Sequence, residues 1–384
     1  MTDSPTDAIV LLPGFLGIGR MGRFFYFSER VAAALRAFLE ARSRRPVLVV
    51  PCSTRPIGSL QARQAFLLEQ LAVICDRERG LERLHLVGHS TGGLDAQLLT
   101  CDGPLGPRSW APFSRIRSRI ASVVAIAAPQ HGTWLARAAA VRFMQGHFSV
   151  PGAADLIRLS FDLIPMLRDQ PAVRDILDGA RAQLPETIAF MVEMLRHREL
   201  LRDLDPEAMA ALRQRIRPEG RVPLTSFVTV AGLSAAAPSA PDRFFRDLHA
   251  LTASQAPADH APAPFALARL GKSRHWISGT GHTPEVLDAG SSDGVVNSVL
   301  QLLDPCDPGE LGGVVVADHA DVIGYHDRPA GPLDQQPLQV GMFHSGSGFT
   351  DRCFFELYGR VAQAVCRAIP DLEERAMEPI AAGA

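Results

Sequence analysis

The chain has 384 residues, 47% of them hydrophobic and 21% charged, and a formal net charge of −2. That is the composition of a folded globular protein, long enough for one large domain with insertions or for two smaller ones. It gives no sign of a surface for nucleic acid or anionic membrane, because acids balance the arginines and Lys272 is the only lysine.

The first third alternates strand and helix. The opening "MTDSPTDAIVLLPG" has acids where a signal peptide has a basic region, and its apolar run, Ala8 to Leu12, is too short for the hydrophobic part of one. The run reads instead as a buried strand ending in a Pro-Gly turn. "SERVAAALRAFLEARS" spaces apolar residues as a helix does, behind Ser28-Glu29 as a cap. "PVLVVP" is a second strand and "SLQARQAFLLEQLAVICDRERG" a second amphipathic helix. "LERLHLVGHS" is a third strand, which leads into the helix of "GGLDAQLLT". A fourth strand, "RIASVVAIAAPQHGT", runs into a polar loop. Strict alternation predicts a mostly parallel central sheet with helices on both faces.

From Trp134 to about Arg221 the pattern is helical only, in "DLIRLSFDLIPML", "ETIAFMVEMLRHRELL" and "DPEAMAALRQRI". Met144, Met166, Met191 and Met194 suit an adaptable apolar surface, although packing of the insertion against itself accounts for much of such a stripe. Strand character returns in "VPLTSFVTVAG". The Ala/Pro-rich stretch from Leu233 to Gly271 reads as surface loop with one short helix. Then come "SSDGVVN", a last strand in "GGVVVADHADVIG" and a closing helix, "DRCFFELYGRVAQAVCRAI". The expected organisation is an α/β core built from residues 1–133 and 222–384, interrupted by a helical lid insertion at 134–221. No stretch approaches the ~18 apolar residues of a membrane span. The six cysteines include no C-x-x-C pair and read as reduced thiols, which makes the cytoplasm the expected location.

The chemistry centres on Gly88-His89-Ser90-Thr91-Gly92. A serine between glycines, after an apolar strand and before a helix, fits the G-x-S-x-G turn that exposes a strained nucleophile. The plain alternative is a serine that only caps the helix. A serine hydroxyl is a weak nucleophile and needs a base, which in such folds follows later in the chain, after an acid. Asp293 lies in "GSSDGVVN", where Gly294 allows a tight bend, and His319 directly follows the last strand. His319 is therefore the expected base and Asp293 the group that fixes its tautomer. His326 and His344 are the rival bases, and Asp288, Asp318 and Asp321 the rival acids. His85 and His89 flank the turn without a base role. The developing oxyanion needs donors, expected to be the backbone N–H groups of Thr91 and of Phe15 in "LLPGFLG".

With Pro13-Gly14-Phe15-Leu16-Gly17, Gly88 to Asp95, "APQHGT", "SSDGVVN" and "DHADVIG", the chain resembles the α/β-hydrolases of the bacterial lipase and esterase group. The resemblance runs from residue 8 to about residue 325. It implies an α/β-hydrolase fold, a Ser90–Asp293–His319 triad and a mobile helical lid after the fourth strand. The chain departs from the family at Pro13, where many members have histidine. It departs again at Pro129-Gln130-His131-Gly132, where the histidine is displaced by one. Secreted members often hold a calcium near the catalytic histidine, and Asp321 resembles one of its ligands. Tyr325, however, stands where a side-chain oxygen is needed, so no metal is expected.

The expected function is a serine carboxylic-ester hydrolase acting on apolar acyl esters through an acyl-enzyme, with no cofactor. An acyltransferase or a polyhydroxyalkanoate-type depolymerase with the same triad is the alternative, and a non-catalytic binding protein on this fold a further one. The expected partner is a small-molecule or lipid ester, with transient lipid contact through the lid and no nucleic acid.

Overall fold

A computed structural model describes residues 6–15, 17, 19–21, 24–43, 46–102, 111–137, 199–218, 220, 222–231, 243–254, 265–266, 276–281, 283–284, 286–303, 309–326 and 345–369. The expected lid helices before residue 199, the four methionines quoted above, Cys306 and His344 lie outside these residues.

Seven strands form one sheet: β1 (Asp7–Leu12), β2 (Leu48–Pro51), β3 (Arg83–His89), β4 (Ile120–Ile126), β5 (Leu224–Val230), β6 (Trp276–Ile277) and β7 (Gly309–Val316). Their order is β6-β7-β5-β4-β3-β1-β2, and every neighbouring pair is parallel. All six residues of β1 are buried, as a central strand covered on both faces requires. Side chains alternate between the faces. Ile9 and Leu11 join a core with α1 (Glu29–Ser43) and α8 (Asp351–Cys366). Ala8, Val10 and Leu12 join another with α2 (Leu60–Arg77), α3 (Thr91–Leu99) and α4 (Ala111–Arg117).

The helix starts are set locally. The Ser59 hydroxyl caps α2 by accepting from the Ala62 N–H at 3.2 Å. At α1 the expected cap is only half realised. The Ser28 carbonyl accepts from the Val31 N–H at 2.9 Å, while its buried hydroxyl has no partner among the described residues. The last part of the insertion region, α5 (Glu199–Asp203) and α6 (Pro206–Arg213), is anchored on the core. Leu200, Leu204 and Met209 pack with Ile57, Leu60, Leu94 and Leu98, and Arg137 grips Asp205 at 2.8 and 3.0 Å. Within the Ala/Pro-rich stretch α7 runs over Arg243–Ser254, twelve residues rather than a short helix.

This topology decides where a site forms. After β1 the chain turns to β2 on one side, and after β3 it turns to β4 on the other. The loops at the carboxyl ends of β1 and β3 therefore part and leave a crevice. The Pro13–Gly17 loop and Ser90 are those two loops.

Candidate active site

Ser90 joins β3 to α3 with φ 56° and ψ −132°, a conformation that costs of order 1–3 kcal/mol for a residue with a side chain. The surroundings hold it there. Its N–H donates to the Ile126 carbonyl at 2.9 Å, and its carbonyl accepts from the Gly93 N–H at 2.9 Å. The glycines are required by contact: a Cβ on Gly88 would lie 2.2 Å from the Gly92 carbonyl oxygen, and one on Gly92 2.2 Å from that of Leu12. Strand, turn and helix are pressed backbone to backbone around the serine. Gly92→Ala is therefore expected to lower the unfolding free energy by about 3 kcal/mol, the upper end of overpacking costs, because backbone cannot move aside as a side chain can. Urea unfolding checks this, and a midpoint at the wild-type value would contradict it.

Asp293 and His319 meet at the carboxyl end of the sheet. The Ser291–Asn297 turn is tied back to β5 by the Ala231 N–H, which donates to the Ser292 carbonyl at 2.9 Å. The Asp293 Oδ2 lies 2.8 Å from the His319 Nδ1 and accepts from the Thr229 hydroxyl at 2.5 Å and from the Gln301 Nε2 at 3.2 Å. Its Oδ1 accepts from the backbone N–H groups of Val295 at 3.0 Å and Val296 at 2.8 Å. Burial acts to raise the Asp293 pKa, but His319 and these donors outweigh it and hold the carboxyl below its ordinary value. An ionised carboxylate at Nδ1 places the proton of the neutral ring there and leaves Nε2 as the basic nitrogen. The His319 N–H also donates to the Asp293 carbonyl at 3.0 Å, so two bonds fix one residue against the other.

The ring of His319 lies against the serine turn, 4.5 Å between centroids from the ring of His89. His89 in turn bonds the Tyr26 hydroxyl through Nδ1 at 2.8 Å, and burial together with His319 pushes its pKa well below the imidazole range. His85 lies between Ser122 and Asp7 at 2.8 and 3.2 Å. The other rivals are engaged elsewhere. His326 bonds Asp351 at 2.8 Å and stacks on Phe354, Asp288 closes a turn with Ser291, and Asp318 accepts from the N–H groups of Ala320 and Asp321.

The Pro13–Gly17 loop abuts the serine. A Cβ on Gly14 would lie 2.8 Å from the Ser90 Cβ and 2.2 Å from the Tyr26 hydroxyl. Gly17, at φ 66°, closes the loop by donating to the Gly14 carbonyl at 3.0 Å. Among the described residues neither the Phe15 nor the Thr91 amide has a hydrogen-bond acceptor. Sequence reasoning missed the residues behind this loop and behind Asp293: Tyr26, Arg63, Gln64, Thr229 and Gln301. Arg63 and Gln64 did carry a signal, since they lie on the buried stripe of α2 with Leu60, Leu67, Leu68 and Leu71.

A calcium of the kind that secreted members of the resembled group often hold does not fit the residues here. The Asp321 Oδ2 accepts from the Asp318 N–H at 3.0 Å and the Ser347 hydroxyl at 2.9 Å, and the Tyr325 hydroxyl donates to the Phe25 carbonyl. These groups are spent on protein bonds, whereas calcium needs six to eight oxygens. Treatment with EDTA is therefore expected to leave the melting temperature unchanged, and a shift of more than a few degrees in a thermal melt would contradict that.

The parallel sheet, the helices on its two faces and the serine turn after its strand β3 define an α/β-hydrolase fold. No protein-family model and no curated sequence matches the chain. Among solved structures it is similar to lipase 1 from Pelosinus fermentans, with a TM-score of 0.50 and 15% identity over 98% of this chain and 100% of that one. It is also similar to EstA from Clostridium botulinum, with a TM-score of 0.47 and 15% identity over 94% and 87%. A metagenomic carboxyl esterase gives a TM-score of 0.46 and 15% identity over 97% and 77%. At 15% identity the likeness to the Pelosinus fermentans lipase speaks for the fold alone. No helix among the described residues is long and apolar enough to cross a membrane.

Proposed function

We propose that the protein is a serine hydrolase of carboxylic esters, with Ser90 as nucleophile, His319 as general base and acid, and Asp293 as the carboxylate that orients it. The observation that carries this reading is the Asp293 carboxyl 2.8 Å from Nδ1 of a histidine packed against a strained serine turn. In the reaction His319 Nε2 takes the Ser90 proton as the oxygen attacks the ester carbonyl. The oxyanion is received by the N–H groups of Phe15 and Thr91. The protonated His319 then gives its proton to the leaving alcohol, and an acyl-enzyme remains. Water, deprotonated by His319, attacks the acyl-enzyme and releases the acid with Ser90 restored.

The acyl group is proposed to be apolar. Phe15 is a half-buried apolar side chain packed on the cluster that includes Ile57, Leu94, Leu200 and Leu204, beside the backbone N–H proposed to receive the oxyanion. A covering role for the insertion belongs to the same reading and rests on its sequence. The test is hydrolysis of p-nitrophenyl esters from acetyl to palmitoyl. Turnover that rises with acyl length is the expected result. A preference for acetyl would remove the apolar acyl assignment, and no turnover across the series would count against ester hydrolysis itself.

A further inference from the structure

We infer that Arg63 is the positioning residue of the oxyanion site: one buried guanidinium that orients both carriers of the receiving N–H groups. The inference rests on the role proposed above for Phe15 and Thr91. Arg63 lies on α2 and is completely buried, as is its ion-pair partner Asp95 on α3. Its Nε and Nη2 donate to the Asp95 Oδ2 at 2.9 and 2.6 Å, and Nη1 donates to the Arg55 carbonyl at 2.9 Å. The second Nη2 hydrogen is shared among the Gly14 carbonyl at 3.2 Å, the Pro13 carbonyl at 3.3 Å and the Thr91 hydroxyl at 3.3 Å. Gln64 completes the cluster, donating to the Asp95 Oδ1 at 3.2 Å and its carbonyl at 3.0 Å.

Two consequences follow from peptide geometry. The Gly14 carbonyl and the Phe15 N–H belong to one planar unit, so holding the carbonyl fixes the direction of the N–H on the opposite edge. A cation at the carbonyl oxygen also draws charge across the amide and makes that N–H a stronger donor. The same guanidinium holds the side chain of Thr91, whose own N–H is the second donor. Pro13 has no N–H to tie the loop down, so the carbonyls are the handles left on this face of the loop. Stability is a poor reason to keep such a pair, because a buried ion pair does about as well as apolar residues of equal volume. Lysine lacks the planar fork that reaches Asp95, Arg55 and the loop together.

The test uses the full chain with Arg63→Lys and with the double variant Arg63→Gln/Asp95→Asn, which leaves no lone buried charge. The readouts are kcat and KM on the best p-nitrophenyl ester, and the Ki of a trifluoromethyl ketone with the same acyl chain. That ketone accepts the serine oxygen and places an oxyanion in the same site. We expect kcat to fall about 30- to 100-fold in the double variant and about 10-fold in Arg63→Lys, below the loss of a whole donor. KM is expected within about 3-fold, with the ketone weakened in proportion to kcat/KM. A merely structural Arg63 would lower the melting temperature while kcat per titrated site and ketone affinity stayed at wild type, and that result overturns the inference. If Arg63→Lys alone folds, its kcat and Ki decide in the same way. Wild-type protein without any ester turnover would instead overturn the proposed function, and the role of Arg63 with it.

Discussion

Ser90→Ala is expected to lower kcat by about 10⁶-fold, the loss that follows removal of a triad nucleophile, without lowering the unfolding free energy by more than about 0.5 kcal/mol. The separation of the two effects is the informative part. The Ser90 hydroxyl makes no cap bond to α3, so its removal costs the helix nothing. Alanine also inherits the same strained φ of 56° and the same backbone bonds to Ile126 and Gly93. A serine acting only as a cap would give the opposite pattern, a stability loss of about 1 kcal/mol with turnover retained. Ester kinetics and a urea melt on one preparation distinguish them.

The second large effect is at Asp293. Asp293→Asn is expected to cost about 10⁴-fold in kcat, because an amide nitrogen facing Nδ1 favours the wrong tautomer of His319. His326→Ala and Asp288→Asn, which remove the rival base and acid, are expected to leave kcat within about 3-fold, as substitutions outside the site do. A dead His326→Ala beside an active His319→Ala would reverse the assignment of the base.

Asp293 also carries a pH signature. Its folded pKa is depressed, so its charge contributes stability above the unfolded carboxylate pKa, near 3.9, and that contribution is lost as pH falls through the folded value. Wild type is therefore expected to lose stability steeply below about pH 4, and Asp293→Asn less steeply. Thermal melts between pH 3 and 7 read the difference, and parallel curves would contradict it.

The fold was legible wherever local pattern and tertiary environment agree. Strands β1, β3, β4 and β5 are buried on both faces and read as short aliphatic stretches with a few polar residues among them, and the helices α1, α2 and α8 carry one apolar stripe each. Among the described residues the edge strand β6 has only Trp276 and Ile277 in the sheet, too few for any period to register. Helix α7 was obscured by the alanines and prolines around it. Of the proposed site, Ser90, Asp293 and His319 could be singled out in the sequence because each sits at a recognisable break, a glycine turn or the end of an apolar strand. Their supports were not. Thr229 reads as an ordinary β-branched strand residue, and Gln301 ends a short 3₁₀ turn whose return to Asp293 only the folded chain reveals. Arg63 could have been noticed as a charge on an apolar stripe, but its partners lie on the β1 loop and on α3, which sequence does not bring together.

The nucleophile can be tested most directly by titrating active wild-type protein with an alkyl fluorophosphonate up to equivalence, then measuring residual turnover and mapping the adduct by peptide mass spectrometry. The expected result is one adduct per chain, on Ser90, with turnover lost in step with its occupancy. Turnover that survives full labelling of Ser90, or inactivation with the phosphonate on another residue, would contradict the central role given to Ser90.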